Sequence, residues 1–110
     1  MTAASATSDI SEPLYSEFRG NHEYRELLIE FVTFMVDFRR QFQSNFAAGQ
    51  MASLRQQAHQ LRGAGGGYGF PLVTELAGHL EMACQLTHPN LDEIASRLRE
   101  LDECLSRLRA

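Results

Sequence analysis

Between Tyr24 and Phe42 the large apolar residues Tyr24, Leu28, Phe31, Met35, Phe38 and Phe42 recur at alternating steps of four and three. That spacing marks one face of a long helix, a coiled-coil-type seam that Leu27 and Phe34 widen on one flank. Asn21 can cap this helix, which runs to about Ala48 and closes at Gly49. A second helix begins near Gln50, with Leu54, Ala58, Leu61, Gly65 and Tyr68 at steps of four, three, four and three. Gly69 and Pro71 bracket a tight connection, with Pro71 suited to the first turn of a third helix that buries Leu72, Leu76, Leu80 and Ala83. Asn90 and Glu93 have capping-box spacing and open a fourth, in which Leu91, Ile94, Leu98, Leu101, Leu105 and Leu108 continue to the last residues. Glu93 with Arg97 and Glu103 with Arg107 form i, i+4 pairs on its wet side.

No stretch alternates with a period of two, so the expected fold class is all-α: an antiparallel up-down-up-down four-helix bundle. A short additional N-terminal helix is expected over Asp9–Arg19, with Ser11 as N-cap, Pro13 in the first turn, Leu14 and Phe18 one turn apart, and Gly20 ending it. Residues 1–8 are small and polar and read as a flexible leader, leaving 9–110 as a single domain.

Ten basic against 14 acidic residues give a net charge of -4, which disfavours broad electrostatic binding to nucleic acid or an anionic membrane. At 110 residues there is room for one core but not for a catalytic cleft between two domains. Cys84 and Cys104 lack CxxC spacing, and no secretory signal or membrane-spanning run is visible, so a reduced cytoplasmic setting is the expectation.

Against this regular pattern, Ala58–Gly69 (AHQLRGAGGGYG) stands out. Glycine inside a helix costs about 0.8–1 kcal/mol relative to alanine, and Gly63, Gly65, Gly66 and Gly67 follow one another here. A need for bare backbone, under a close helix or an arriving partner, would account for them. At 100° per residue His59 lies about 140° from Leu54, grouped with Arg55, Arg62, Gly63 and Gly66 away from the buried seam. The histidine is thus expected to be partly exposed. Glu81 lies twelve residues past the Gly69 turn and His59 ten before it, so a rise of about 1.5 Å per residue sets the two at similar height.

An exposed histidine with an ordinary pKa of about 6.5 is mostly neutral at pH 7 and nucleophilic, and phosphoryl groups are natural electrophiles for it. Glu81 can accept one ring N–H and leave the other nitrogen's lone pair outward, while Arg62 offsets phosphoryl charge. The ordinary alternative is a surface histidine beside a glycine-rich helix stop. His22 and His88 are expected to face solvent, and His79 to serve the structure. A zinc site from His79, Cys84 and His88 lacks recognised ligand spacing.

HQLRGAGGGYGF followed by LVTELAGHLE resembles the signature of histidine-containing phosphotransfer (HPt) domains, in a style similar to those of chemotaxis kinases. The motif covers Leu54 to Glu81. The resemblance implies His59 as phosphoacceptor, Arg62 as the basic neighbour where most members have lysine, Gly63 as the small residue that leaves space for the partner, Gly69 as the turn glycine and Glu81 as the acidic partner of the histidine; Arg55 and Gly66, grouped with His59 on the helix, complete the expected partner-docking face. It implies a phosphocarrier without autonomous kinase activity, a monomer whose partners are response-regulator receiver domains and a hybrid histidine kinase. No cofactor of its own is implied; magnesium belongs to the receiver. The guanidinium of Arg62 keeps the charge of lysine with a different geometry. A contrasting reading is a helical module that binds and inhibits a receiver or kinase without being phosphorylated.

Overall fold

A computed structural model describes residues 12–110, so the expected leader and the Ser11 cap lie outside the described residues. Four helices carry the fold: α1 (Arg25–Ala47), α2 (Met51–Gly67), α3 (Pro71–Cys84) and α4 (Leu91–Ser106). Asn21 accepts a hydrogen bond from the Glu23 N–H at 3.1 Å, but it caps a single 3-10 turn, His22–Tyr24, that leads into α1. Asn90 caps α4 by accepting from the Glu93 N–H at 3.0 Å. Gly49 takes a left-handed φ of +72° where α1 ends.

The seam read from the sequence is buried: Leu28, Phe31, Met35, Phe38 and Phe42 from α1 meet Leu54, Ala58 and Leu61 from α2 and Ile94, Leu98, Leu101 and Leu105 from α4. Leu27 and Phe34 do not widen it; both are exposed, because no helix among the described residues covers that flank. On α3 the buried face is turned from the expected one. Val73, Ala77, Leu80, Glu81 and Ala83 are buried, whereas Leu72 and Leu76 are half-buried. The cause is the close seating of Val73 and Thr74 on the backbone of Gly65, which rotates α3 toward α2 at that point.

Contacts between α2 and α3 pair rising numbers on one helix with falling numbers on the other: Gly65 with Thr74, Arg62 with Gly78, His59 with Glu81. Between α1 and α2, Phe31 stacks on Tyr68 with ring centroids 4.3 Å apart, and the Asn45 and Gln57 amides hydrogen-bond at 2.8 Å further along. Arg39 on α1 donates twice to Asp102 on α4, at 2.8 and 3.2 Å, joining the first and last helices.

The ends of the chain depart from expectation. The described part of the supposed N-terminal helix is extended and then turns: β1 (Leu14–Tyr15) pairs in parallel with β2 (Leu108–Arg109), with Leu14 opposite Leu108. Consequently α4 stops at Ser106 and Leu108 enters the core from a strand; Leu91, at the other end, is exposed. Backbone pairing between the two ends, through Leu14 N–H to the Arg107 carbonyl at 2.7 Å, outweighs the helical spacing of Leu14 and Phe18. Arg97 pairs with Glu93 at 3.0 Å as expected, but Glu103 has no such partner in Arg107, whose Nε is buried without a hydrogen bond.

Cys84 and Cys104 are both free thiols, and burial pushes each of their pKa values up. No helix among the described residues is long and apolar enough to cross a membrane.

A Cβ placed on Gly65 would stand 2.8 Å from the Thr74 backbone nitrogen and 3.1 Å from Val73 Cβ. Gly65→Ala is therefore expected to lower unfolding stability by about 1–3 kcal/mol through overpacking, read from urea denaturation. A variant as stable as the parent would show that the helices separate there without penalty.

Candidate functional site

His59 projects from the outer side of α2 with its side chain 60% exposed, while the Glu81 side chain from α3 is 7% exposed. His59 Nδ1 lies 2.8 Å from Glu81 Oε2. A carboxylate only accepts, so this distance requires the proton on Nδ1, and the Nε2 lone pair is then the free one. Arg62 Nη2 comes within 3.5 Å of Nδ1, but a protonated Nδ1 has no lone pair to receive it. The relevant role of Arg62 is toward Glu81: its Nε lies 3.2 Å from Oε1, near enough for ionic attraction though not aligned as a hydrogen bond.

The buried carboxylate is thus surrounded on three sides. Besides His59 and Arg62, the Gln85 side-chain amide approaches Oε2 at 3.4 Å. A carboxylate this buried is tolerated because cationic and N–H groups face it. Gln85 was not among the residues singled out from the sequence, although its position one turn after Glu81 on the same helix was a usable signal.

Arg62 reaches Glu81 by lying across α3 where no side chain intervenes. A Cβ on Gly78 would meet Arg62 Cδ at 3.4 Å, so the aliphatic stem rests directly on this backbone. Nothing in the helical pattern of α3 distinguished Gly78 in advance.

Arg55 is exposed one turn before His59 and lines a shallow groove with Gln56, His59, Glu81 and Gln85. Gly63 is exposed, and a Cβ there would touch nothing within 4 Å. Packing therefore does not require glycine at 63. Gly66 is exposed too, and its N–H donates to Thr74 Oγ1 at 2.7 Å. Gly69 makes the turn with φ +81°, and a Cβ on it would collide with the Ser16 hydroxyl of the N-terminal segment.

On the neighbouring flank, Phe34 from α1 is 56% exposed and forms a groove with Phe31, Phe38, Gln60, Ala64 and Tyr68. Gln60, which lines this apolar hollow, directly follows His59 on α2. His22, His79 and His88 are exposed and take no part in the His59 cluster; His79 is thus not the structural residue expected. Among the described residues no three of His, Cys, Asp and Glu gather closely enough to hold a metal.

The arrangement offers one accessible nucleophilic nitrogen, a fixed ring orientation and a neighbouring cation. Comparison with family models matches residues 26–110 to the model described as Hpt domain. No curated protein and no solved structure matches the chain.

Glu81→Ala is expected to release the ring. Nitrogen-15 NMR of neutral His59 should show the Nδ1–H tautomer in the parent chain and a shift toward Nε2–H in the variant, as in free imidazole side chains. An unchanged tautomer would mean that Glu81 does not orient it.

Proposed function

The chain belongs to the Hpt domain family, and from that premise we propose that it is a histidine phosphocarrier, taking a phosphoryl group onto His59 from a receiver-domain aspartate and passing it to another receiver. The observation that carries this reading is the pairing of an exposed imidazole with a buried carboxylate at 2.8 Å, which in the neutral ring puts the proton on Nδ1 and the free lone pair on Nε2. The four helices are read as the up-down-up-down antiparallel bundle that presents such a histidine on one rigid face.

In the forward step Nε2 attacks phosphorus as the bond from phosphorus to the aspartyl oxygen breaks, returning the partner's aspartate as a carboxylate. The ring gains positive character while Nδ1 keeps its proton, and the Glu81 carboxylate stabilises that charge. Arg62 serves the same electrostatic purpose for the phosphoryl oxygens once it swings from Glu81 toward them. Magnesium is supplied by the receiver, so this chain needs no metal and no kinase machinery of its own. Reversal of these steps delivers the group onward.

Arg55 and the bare surface at Gly63 and Gly66 form the approach for the partner, and the Phe34 groove offers it an apolar contact. The domain acts as a monomer that receiver domains, including one on a hybrid kinase, visit in turn.

Incubation with a phosphorylated receiver domain and magnesium is expected to place acid-labile phosphate on the chain, and His59→Gln is expected to abolish it. Equal labelling of that variant would contradict the assignment. Gly63→Ala separates docking from folding: it should raise stability by up to about 1 kcal/mol, as alanine does in a helix, yet slow transfer from a receiver. Transfer at the parental rate would remove Gly63 from the docking face.

A further inference from the structure

At the α2–α3 hairpin one hydroxyl of α3 bridges two backbone groups one turn apart on the helix that bears His59. In an unbroken α-helix the Gly66 N–H would donate to the Arg62 carbonyl. Here the Gly66 N–H donates to Thr74 Oγ1 at 2.7 Å, and Thr74 Oγ1–H donates to the Arg62 carbonyl at 2.8 Å. One side chain of α3 is thus hydrogen-bonded at once to a donor and an acceptor on successive turns of α2.

Two neighbouring features hold this bridge in place. Gly65 has no Cβ to keep the Thr74 backbone away, and the Phe70 N–H closes back on the Gly65 carbonyl at 2.9 Å. The end of α2 is therefore bound to the start of α3 both through backbone and through the hydroxyl. Three residues along α2 from the bonded carbonyl sits His59, and seven along α3 from Thr74 sits Glu81. Since both helices are rigid, sliding or rotation at the threonine is transmitted to the 2.8 Å His59–Glu81 bond.

We infer that Thr74 is a positioning residue for phosphotransfer: its bridging hydroxyl fixes the axial and rotational register of α2 against α3, and thereby the orientation of the His59 ring. The inference rests on the phosphocarrier reading for its kinetic consequence, but its structural half stands on the hydrogen bonds alone. Thr74 touches neither the imidazole nor any arriving phosphoryl group. It acts through the backbone at Arg62 and Gly66.

The decisive comparison uses full-length Thr74→Val, which keeps the branched shape without the hydroxyl, and Thr74→Ser, which keeps the hydroxyl. Two readouts are taken on each: the His59 tautomer by nitrogen-15 NMR, and phosphoryl uptake from phosphoramidate and from a phosphorylated receiver. Thr74→Val is expected to populate the Nε2–H tautomer and to slow uptake on the order of tenfold; Thr74→Ser should restore both. Parental tautomer and rate in Thr74→Val, or failure of serine to rescue, would overturn the inference. A drop in melting temperature alone, with tautomer and rate unchanged, would likewise overturn it by assigning Thr74 to stability only. Thr74→Ala provides the same comparison if valine prevents folding. Absence of uptake by the parent chain would instead refute the phosphocarrier reading, and the tautomer would still decide the role of Thr74.

Discussion

Everything at the site depends on how closely α2 can approach α3. At Gly65 the two backbones meet with no room for a methyl group, and beside it the Thr74 hydroxyl bonds to the Gly66 N–H and the Arg62 carbonyl of α2. From that anchor the hairpin extends toward its other end with Arg62 across Gly78 and then His59 against Glu81. A glycine that weakens a helix in isolation thus permits the contact that fixes the helix in its setting.

The electrostatics follow from the same packing. Glu81 is buried because α3 turns that face toward α2, and a buried carboxylate demands partners. His59 supplies an N–H, Arg62 a nearby positive charge and Gln85 an amide. In the proposed reading this pairing fixes the base: the neutral ring keeps its proton on Nδ1, and Nε2 is left for chemistry. Under the phosphocarrier proposal, the pairing ties the burial of a charge to the preparation of a nucleophile.

Periodicity made most of the fold legible. The seam of α1 and the inward residues Leu54, Ala58 and Leu61 of α2 were readable because each helix buries one regular stripe. The rotated face of α3 was not, since it is set by the contact of Val73 and Thr74 with Gly65, between residues eight and nine apart in sequence. The termini misled for a related reason: Leu14 and Phe18 have helical spacing, yet pairing with Leu108–Arg109 is a long-range bond that local spacing cannot display. At the site, counting residues from the turn brought His59 and Glu81 to one height. Gly78, Thr74 and Gln85 act through interhelical contacts and had no pattern of their own to reveal them, apart from the one-turn spacing of Gln85 from Glu81.

The central claim is that the buried carboxylate selects which ring nitrogen reacts. It is tested most directly by phosphorylating the chain with a receiver domain and assigning the site by phosphorus-31 and nitrogen-15 NMR. The account requires phosphate on Nε2 of His59, with Nδ1 still protonated toward Glu81. Phosphate on Nδ1, or on His22, His79 or His88, would contradict it.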